Sequence, residues 1–184
     1  MIKNGHRATI HNVSKYLIIP LALLIPLGSG PSRAEMWDLK AGIGPVYGSE
    51  FRTTRQDGLG FQAYCDLGLS DVLSLTAGGG YTGHFIGEGT GYSLYNLGVG
   101  LLYNIDVLVV VPFLSLRMGW LQMSPDQGEI LSGLGVSVAV GFDYLVTETF
   151  TLGFAAEYHG MFTDIDAFPA YAAFTGRVGF RLPN

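Results

Sequence analysis

Residues 133–144 read GLGVSVAVGFDY, a stretch in which apolar side chains alternate with glycine, serine, alanine and one acid. Val136, Val138 and Val140 share one face of this stretch, and Asp143 belongs to the other. Successive side chains of a β-strand point to opposite sides of the pleat, so a period of two predicts a strand. The stretch is therefore expected to be a strand with one continuous apolar face.

The same alternation recurs in eight segments of the chain, from Trp37 to Leu182. The predicted strands span approximately residues 37–48, 57–69, 72–86, 91–104, 107–120, 130–144, 149–159 and 169–182. Their connections alternate between tight turns and generally longer polar loops. This pattern predicts an all-β fold, an eight-stranded antiparallel up-and-down transmembrane β-barrel with both termini at the periplasmic end. Pro112 lacks a backbone N–H, which predicts a bulge or local irregularity in the fifth strand.

Aromatic residues fall at both ends of the apolar face when the first strand runs outward and the direction then alternates. Those at the periplasmic end are Trp37, Tyr103, Phe142, Tyr144, Phe150 and Phe180. Those at the outer end are Tyr47, Phe61, Tyr81, Tyr95, Trp120 and Tyr158. Amphipathic rings prefer the level of the lipid headgroups, so this placement predicts the two aromatic girdles of a barrel embedded in a bilayer.

Two other folds fit the sequence less well. A soluble lipocalin-like barrel would turn a face of mostly Gly, Ser, Ala and Thr to water, which makes a poor solvent surface. A helical membrane protein needs about 20 consecutive apolar residues per span. The longest apolar run after residue 34, Val107 to Val111, is followed at once by Pro112.

Residues 1–34 have the features of a secretory signal peptide that is cleaved from the mature protein. Lys3 and Lys15 belong to a basic start, and an apolar stretch of about a dozen residues follows. Ser32 and Ala34 then form the small-x-small pattern of a cleavage site before Glu35. We therefore expect residues 35–184 to form the barrel domain.

The expected mature chain is acidic, because four of the ten Lys and Arg lie in residues 1–34. The remaining six basic residues stand against fifteen acidic ones, a formal charge of −9. No basic patch exists to neutralise phosphates, so nucleic acid is not an expected partner. The single cysteine, Cys65, cannot form an internal disulfide and falls on the apolar face.

Strand parity also predicts which polar side chains face the lumen. They are Asp38, Lys40, Gln62, Tyr64, Asp66, Asn96, Arg117, Asp143, Glu157, His159, Arg177 and Arg181. An eight-stranded barrel has an interior just wide enough to be filled by side chains, and charges removed from water persist only when paired. We therefore expect an ion-pair and hydrogen-bond network that plugs the lumen. Its expected members are Asp38, Lys40, Asp66, Arg117, Asp143, Glu157 and Arg177.

Closure of the barrel between the last and first strands is expected to bring Arg177 near Asp38 and Lys40. Glycines on the lumen face are expected to make room for such long side chains. The run Gly78-Gly79-Gly80 lies within a strand and lacks the Lys-Ser/Thr and helix of a phosphate-binding loop. Its expected role is to bend the strand and to free interior space.

A signal peptide, a mature length of about 150 residues, eight alternating strands, aromatic girdles and a charged interior together resemble the small outer-membrane β-barrel family. Its members include the membrane domain of outer membrane protein A, outer membrane protein X and outer membrane protein W. The resemblance implies the outer membrane of a Gram-negative-type bacterium as the location. It also implies three partners: outer-membrane lipid, the barrel-insertion machinery during assembly, and a surface ligand at the outer loops.

Three classes of function are left open by the residues. The first is a structural or surface-interaction barrel with a plugged lumen, and the second is a narrow channel for small or hydrophobic solutes. The third is a hydrolase at the outer rim, where His159 follows Glu157 on one face and a carboxylate could orient an imidazole base. The outer loops contain no convergent nucleophile and base, so we expect no enzyme. His84 and His159 lack a defined metal-ligand spacing, and no catalytic residue, metal ligand or cofactor is predicted.

Overall fold

The computed structural model describes residues 37–50, 56–86, 90–105, 109–162 and 170–182. The predicted signal peptide, residues 1–34, lies outside the described residues, and so do most residues of the outer loops. The strands are β1 Leu39–Glu50, β2 Asp57–Gly68, β3 Leu73–Ile86, β4 Thr90–Asn104, β5 Val110–Pro125, β6 Leu131–Leu145, β7 Phe150–Met161 and β8 Tyr171–Leu182. No helix in this part of the chain is long and apolar enough to cross a membrane.

The eight strands close into one barrel in which each strand pairs antiparallel with its neighbours in sequence, and β8 pairs with β1. The predicted eight-stranded up-and-down barrel is therefore confirmed. The register, followed once around the barrel from Leu39, returns to β1 ten residues further on, at Ser49. This stagger corresponds to a strand tilt of about 40°. We term the end with Leu39 and Leu182 the periplasmic end and the opposite end the outer end.

The outer wall of the barrel is apolar. Leu59 and Leu97 each expose 68% of their surface, as expected for side chains that face lipid instead of a protein core. The twelve girdle residues all lie on this outer wall, fully or partly exposed: Trp37, Tyr47, Phe61, Tyr81, Tyr95, Tyr103, Trp120, Phe142, Tyr144, Phe150, Tyr158 and Phe180. Cys65 is a free cysteine on the same surface.

The fifth strand differs most from its prediction, because β5 runs to Pro125 instead of ending near residue 120. In this extension Leu121 points into the barrel and Gln122 points outward, so polarity is reversed relative to the lower part of the strand. The outer face of a strand is exposed to water where the strand continues beyond the hydrocarbon. A prediction that requires apolar residues on the outer face therefore ends the strand too early.

The irregularity predicted at Pro112 is absent from the register of β5 with both of its neighbours. The carbonyl of Pro112 accepts a hydrogen bond from the N–H of Ile105, at 2.9 Å. The N–H and C=O of one residue in an antiparallel strand point toward the same neighbouring strand. The nitrogen of Pro112 therefore faces Ile105, the residue just past the end of β4. The N–H that Pro112 lacks would lie where the hydrogen bonds between β4 and β5 end, so the strand needs no bulge to accommodate the proline.

Candidate functional site: the barrel lumen

The periplasmic mouth of the lumen is bounded by a charge pair between neighbouring strands. Arg181 on β8 donates from Nε to Oδ2 of Asp38, just before β1, over 2.8 Å. Above this pair lies a cavity of about 70 Å³ whose lining includes Asp66, Asp143 and Thr151. The lower lumen therefore has polar walls and enough space for ordered water.

The next layer is an ion-pair cluster centred on Arg177. Its Nε donates to Oδ1 of Asp143 over 3.2 Å, and its Nη2 lies 3.6 Å from Oδ2 of Asp66. Lys40 forms a second ion pair with Asp143. The hydroxyl of Thr76 donates to Asp66 over 2.6 Å. Strands from both sides of the barrel contribute to this layer, so its ion pairs reach across the lumen.

Two aromatic rings enclose the Arg177 guanidinium. Its central carbon lies 3.7 Å from the centroid of the Tyr64 ring and 4.5 Å from that of Phe113. A desolvated cation over an aromatic face gains about 2 kcal/mol. The Tyr64 ring fits because β1 and β8 carry glycine beside it, and a Cβ at Gly42 or Gly179 would overlap the Tyr64 side chain.

The middle layer is a buried chain of polar contacts across the barrel. Arg117 on β5 forms an ion pair with Glu157 on β7. The amide of Gln62 donates to Glu157 over 2.9 Å, and Thr175 donates to Gln62 over 2.9 Å. A Cβ at Gly78 would overlap Arg117 Nη1, so this glycine is what lets the guanidinium cross.

The outer half of the lumen contains a cluster of buried apolar side chains. Leu94 and Tyr171 are each 1% exposed. The cluster comprises Val46, Tyr92, Leu94, Leu121, Met161, Tyr171 and Ala173. Buried polar side chains lie among them: Glu50 accepts a hydrogen bond from the Tyr92 hydroxyl, and His84 stacks on Tyr92. The lumen therefore holds its ion pairs below and an apolar cluster with a few buried polar groups above.

The predicted network residues all point into the barrel, but their pairing differs from the expectation for Arg177. Asp38 pairs with Arg181, whereas Arg177 pairs with Asp143 and Asp66. Arg177 does lie near Lys40 as expected, because both side chains pair with Asp143, but Asp38 is not among its ion pairs with the described residues. The ten-residue stagger tilts the strands relative to the barrel axis. Inward side chains at the same level along that axis are therefore not the ones that are paired in register.

The apolar plug at the outer end was not predicted from the sequence. Leu94 has the parity of Asn96, Leu121 has that of Arg117, and Tyr171 has that of Arg177. Parity alone therefore placed all of them inside. The signal for the plug is the presence of large apolar side chains of lumen parity near the strand ends.

A histidine in the upper lumen has the partners of a hydrolytic triad. Ser137 Oγ lies 2.8 Å from Nδ1 of His159, and Nε2 of that ring lies 3.4 Å from Glu157 Oε1. His159 is 0% exposed and stacks on Tyr171 at 4.4 Å between ring centroids. The imidazole has no exposed surface, and the carboxylate is engaged by Arg117. The arrangement is a buried polar contact and not an accessible catalytic site.

His84 is also buried, 1% exposed, and stacks on Tyr92 at 4.6 Å between ring centroids. It lies on β3, and His159 lies on β7. The described residues contain no group of three or more His, Cys, Asp or Glu side chains that could hold a metal ion.

The charges of the described residues are separated by location. Each described basic side chain lies in the lumen: Lys40, Arg117, Arg177 and Arg181. The exposed charged side chains at the two ends are all acidic: Asp57, Asp71, Asp126, Glu129 and Glu148. The four cations share the lumen with five buried carboxylates, Asp38, Glu50, Asp66, Asp143 and Glu157, and the described rims carry negative charge.

No family model and no curated protein sequence matches the chain. Solved structures do match it. Neisserial surface protein A superposes with a TM-score of 0.62 and 18% identity, covering 80% of this chain and 97% of that one. Ail, the attachment invasion locus protein of Yersinia pestis, gives a TM-score of 0.61 and 15% identity over 80% of this chain and 100% of its own. OprG from Pseudomonas aeruginosa gives 0.59 and 11%, with coverages of 84% and 100%.

Proposed function

Because this chain has the fold of the small eight-stranded outer-membrane barrels, we propose that it is a closed barrel with a structural or surface-interaction role and no enzymatic activity. Its location is the outer membrane of a Gram-negative-type bacterium, where the apolar wall meets lipid. A cleaved signal peptide in residues 1–34 would deliver it, and the barrel-insertion machinery would assemble it. The outer loops would present the binding surface.

The closed lumen is the observation that carries this proposal. Ion pairs below and a mainly apolar cluster above fill the interior, and Leu94, Tyr171 and His159 are at most 1% exposed. An eight-stranded barrel is narrow enough for side chains to do this. Ions crossing the membrane would have to displace the Arg117–Glu157 pair and then the packed side chains of the apolar cluster.

The packing of the lumen also weakens the alternative that the barrel is a channel. A path for small ions needs continuous water, and the apolar cluster interrupts it above the middle layer. A path for hydrophobic solutes would have to cross the ion-pair cluster around Arg177 below. Both kinds of solute would therefore have to displace packed side chains within the lumen.

A surface-interaction role draws support from charge as well as from fold. Ail of Yersinia pestis has been solved in complex with the heparin analogue sucrose octasulfate. In this chain the described outer rim carries Asp57, Asp126 and Glu129. These acids repel sulfate groups, so the ligand we propose for this barrel is cationic or uncharged rather than a sulfated sugar.

Conductance of the refolded chain in a planar bilayer tests the closed lumen. Folding is verified first by the heat-modifiable gel shift of a barrel, and the expected current record contains no discrete openings. Stable openings of the unaltered chain would overturn the closed-barrel proposal and favour a channel.

A variant designed to open the lumen makes an absence of conductance in the unaltered barrel interpretable. Arg117→Ala combined with Glu157→Ala removes the middle layer without leaving an unpaired charge, and Leu121→Ala with Tyr171→Ala reduces the apolar cluster. The fourfold variant, once shown to be folded, is expected to conduct where the unaltered barrel does not. If neither the fourfold variant nor the unaltered barrel conducts, these side chains are not the barrier to ions.

A further inference from the structure

Of the two buried imidazoles in the described part of the barrel, His84 is the one without a polar partner. Neither of its ring nitrogens has a hydrogen-bond partner among the described residues, although the side chain is only 1% exposed. His159, by comparison, has Ser137 Oγ at 2.8 Å from its Nδ1. A buried polar group without a hydrogen bond is unfavourable, and it becomes far more so when it carries a charge.

Three strands enclose the His84 ring. The ring is stacked on that of Tyr92 on β4, with 4.6 Å between the centroids and an interplanar angle of 7°. Glycines on β1 and β2 leave room for it, because a Cβ at Gly58 would lie 2.8 Å from the His84 ring and one at Gly48 would lie 3.2 Å from its Nε2. Tyr92 belongs to the apolar plug, so His84 is packed as part of that plug.

The charged and titratable groups around His84 come from the same three strands. On β1, Glu50 is 4% exposed and accepts a hydrogen bond from the Tyr92 hydroxyl of β4 over 3.1 Å. On β2, Asp57 is an exposed acid at the outer end of the strand. Neither carboxylate is hydrogen-bonded to the imidazole. A proton added to His84 in this position would therefore create a buried cation without a bonded anion.

We propose that His84 makes the apolar plug sensitive to pH: the plug is closed while this imidazole is neutral and loosens when the imidazole takes up a proton. The inference rests on the proposed closed lumen. His84 lies three residues beyond Tyr81 of the outer girdle, near the end of β3 that faces the outer loops. Water is therefore close to a ring that leaves the plug, and hydration favours the charged form of an imidazole.

The direction of the pH dependence follows from proton linkage. Above about pH 6.5 the imidazole is neutral both in the plug and in water, and its packing on Tyr92 favours the closed plug. Below about pH 6.5 the released ring binds a proton and the buried ring resists one, so each further pH unit favours the released state by up to about tenfold. Closure is thus present at neutral pH and is lost progressively as the pH falls.

NMR of the folded barrel in nanodiscs tests this switch, with methionine methyl groups as reporters and a water-soluble paramagnetic agent in the buffer. Met161 is 6% exposed within the plug, whereas Met118 is 60% exposed on the lipid-facing wall. Both methyl signals are expected to be sharp at about pH 8. Below about pH 6.5 the Met161 signal is expected to broaden increasingly, while the Met118 signal stays sharp.

Substitutions assign the response to one imidazole. His84→Phe keeps a ring that can stack on Tyr92 but cannot take up a proton, so Met161 is expected to stay protected as the pH falls. His159→Phe makes the same change in the other stacked pair, His159 and Tyr171, and is expected to keep the response. His84→Gln is a second neutral variant and is also expected to abolish it.

The inference is overturned if Met161 of the unaltered barrel stays protected as the pH falls. It is also overturned if the response survives in the His84 variants, because it would then belong to Glu50 or another acid. Should neither variant fold, the His84 ring signal of the unaltered barrel decides, since proton uptake without exposure of Met161 refutes the switch. Exposure of Met161 already at about pH 8 would contradict the closed lumen itself, so the two failures are distinguishable.

Discussion

The guanidinium carbon of Arg177 lies 3.7 Å from the centroid of the Tyr64 ring while its nitrogens face Asp143 and Asp66. One side chain thus connects β8 with β2 and β6 through the lumen. Removing a buried charge leaves its partners unpaired in a low dielectric, which costs more than the intact pair contributes.

Arg177→Ala is accordingly expected to lower the free energy of unfolding by about 3–5 kcal/mol. Two carboxylates lose a cation, and Tyr64 and Phe113 lose the group between them. Urea unfolding in lipid vesicles, followed by the gel shift, measures the change. Arg181→Ala is the matched control, because the described carboxylate partner of Arg181, Asp38, lies at the mouth of the lumen, and we expect a smaller loss. An unfolding midpoint for Arg177→Ala equal to that of the unaltered chain would contradict the network.

Arg117 and Glu157 are expected to be strongly coupled. Arg117→Ala and Glu157→Ala each leave a buried charge, and each should cost about 3–5 kcal/mol. The double variant leaves neither charge and should cost less than the sum of the two. A double-mutant cycle on unfolding free energies measures this difference directly. Additive costs would show that the two side chains act independently, against the pairing seen in the middle layer.

The strand pattern and the pairing of the interior charges were not equally predictable. Alternation placed Asp143 inside and Val138 outside, because the bilayer demands an apolar outer face over the whole membrane-spanning part of every strand. The partner of Arg177 could not be predicted, because it depends on the ten-residue stagger, and stagger leaves no trace in the pattern of any single strand.

The outer ends of the strands were predicted less well for a related reason. Beyond the hydrocarbon the outer face of a strand is polar instead of apolar, so Leu121 faces inward and Gln122 outward. A criterion built on apolar outer faces ends β5 early and overlooks the apolar plug. The Ser137–His159 contact was missed because serine is common on the lumen face and carries no spacing signal of its own.

Gly78 is expected to be sensitive to the addition of one methyl group. A Cβ there overlaps Arg117 Nη1, so Gly78→Ala must displace the guanidinium from Glu157, and we expect a cost of about 1–3 kcal/mol. Gly176→Ala is the control, because the nearest atom to a Cβ at that position is Pro45 Cγ, at 3.6 Å. Urea unfolding of both variants should separate them. Equal midpoints would mean that Gly78 is not needed for the crossing of Arg117.

Val138 tests which face of the barrel meets the hydrocarbon. It lies in the middle of β6, is 41% exposed on the outer wall, and pairs with Leu116 and Tyr158. Arginine at mid-bilayer on a lipid-facing strand costs about 2–4 kcal/mol, and near the interface only about 0–1 kcal/mol. Val138→Arg should therefore destabilise the barrel far more than Ser132→Arg, which makes the same charge change on the same face near the outer end of β6. Unfolding in vesicles measures both, and equal effects would show that this face does not lie in hydrocarbon.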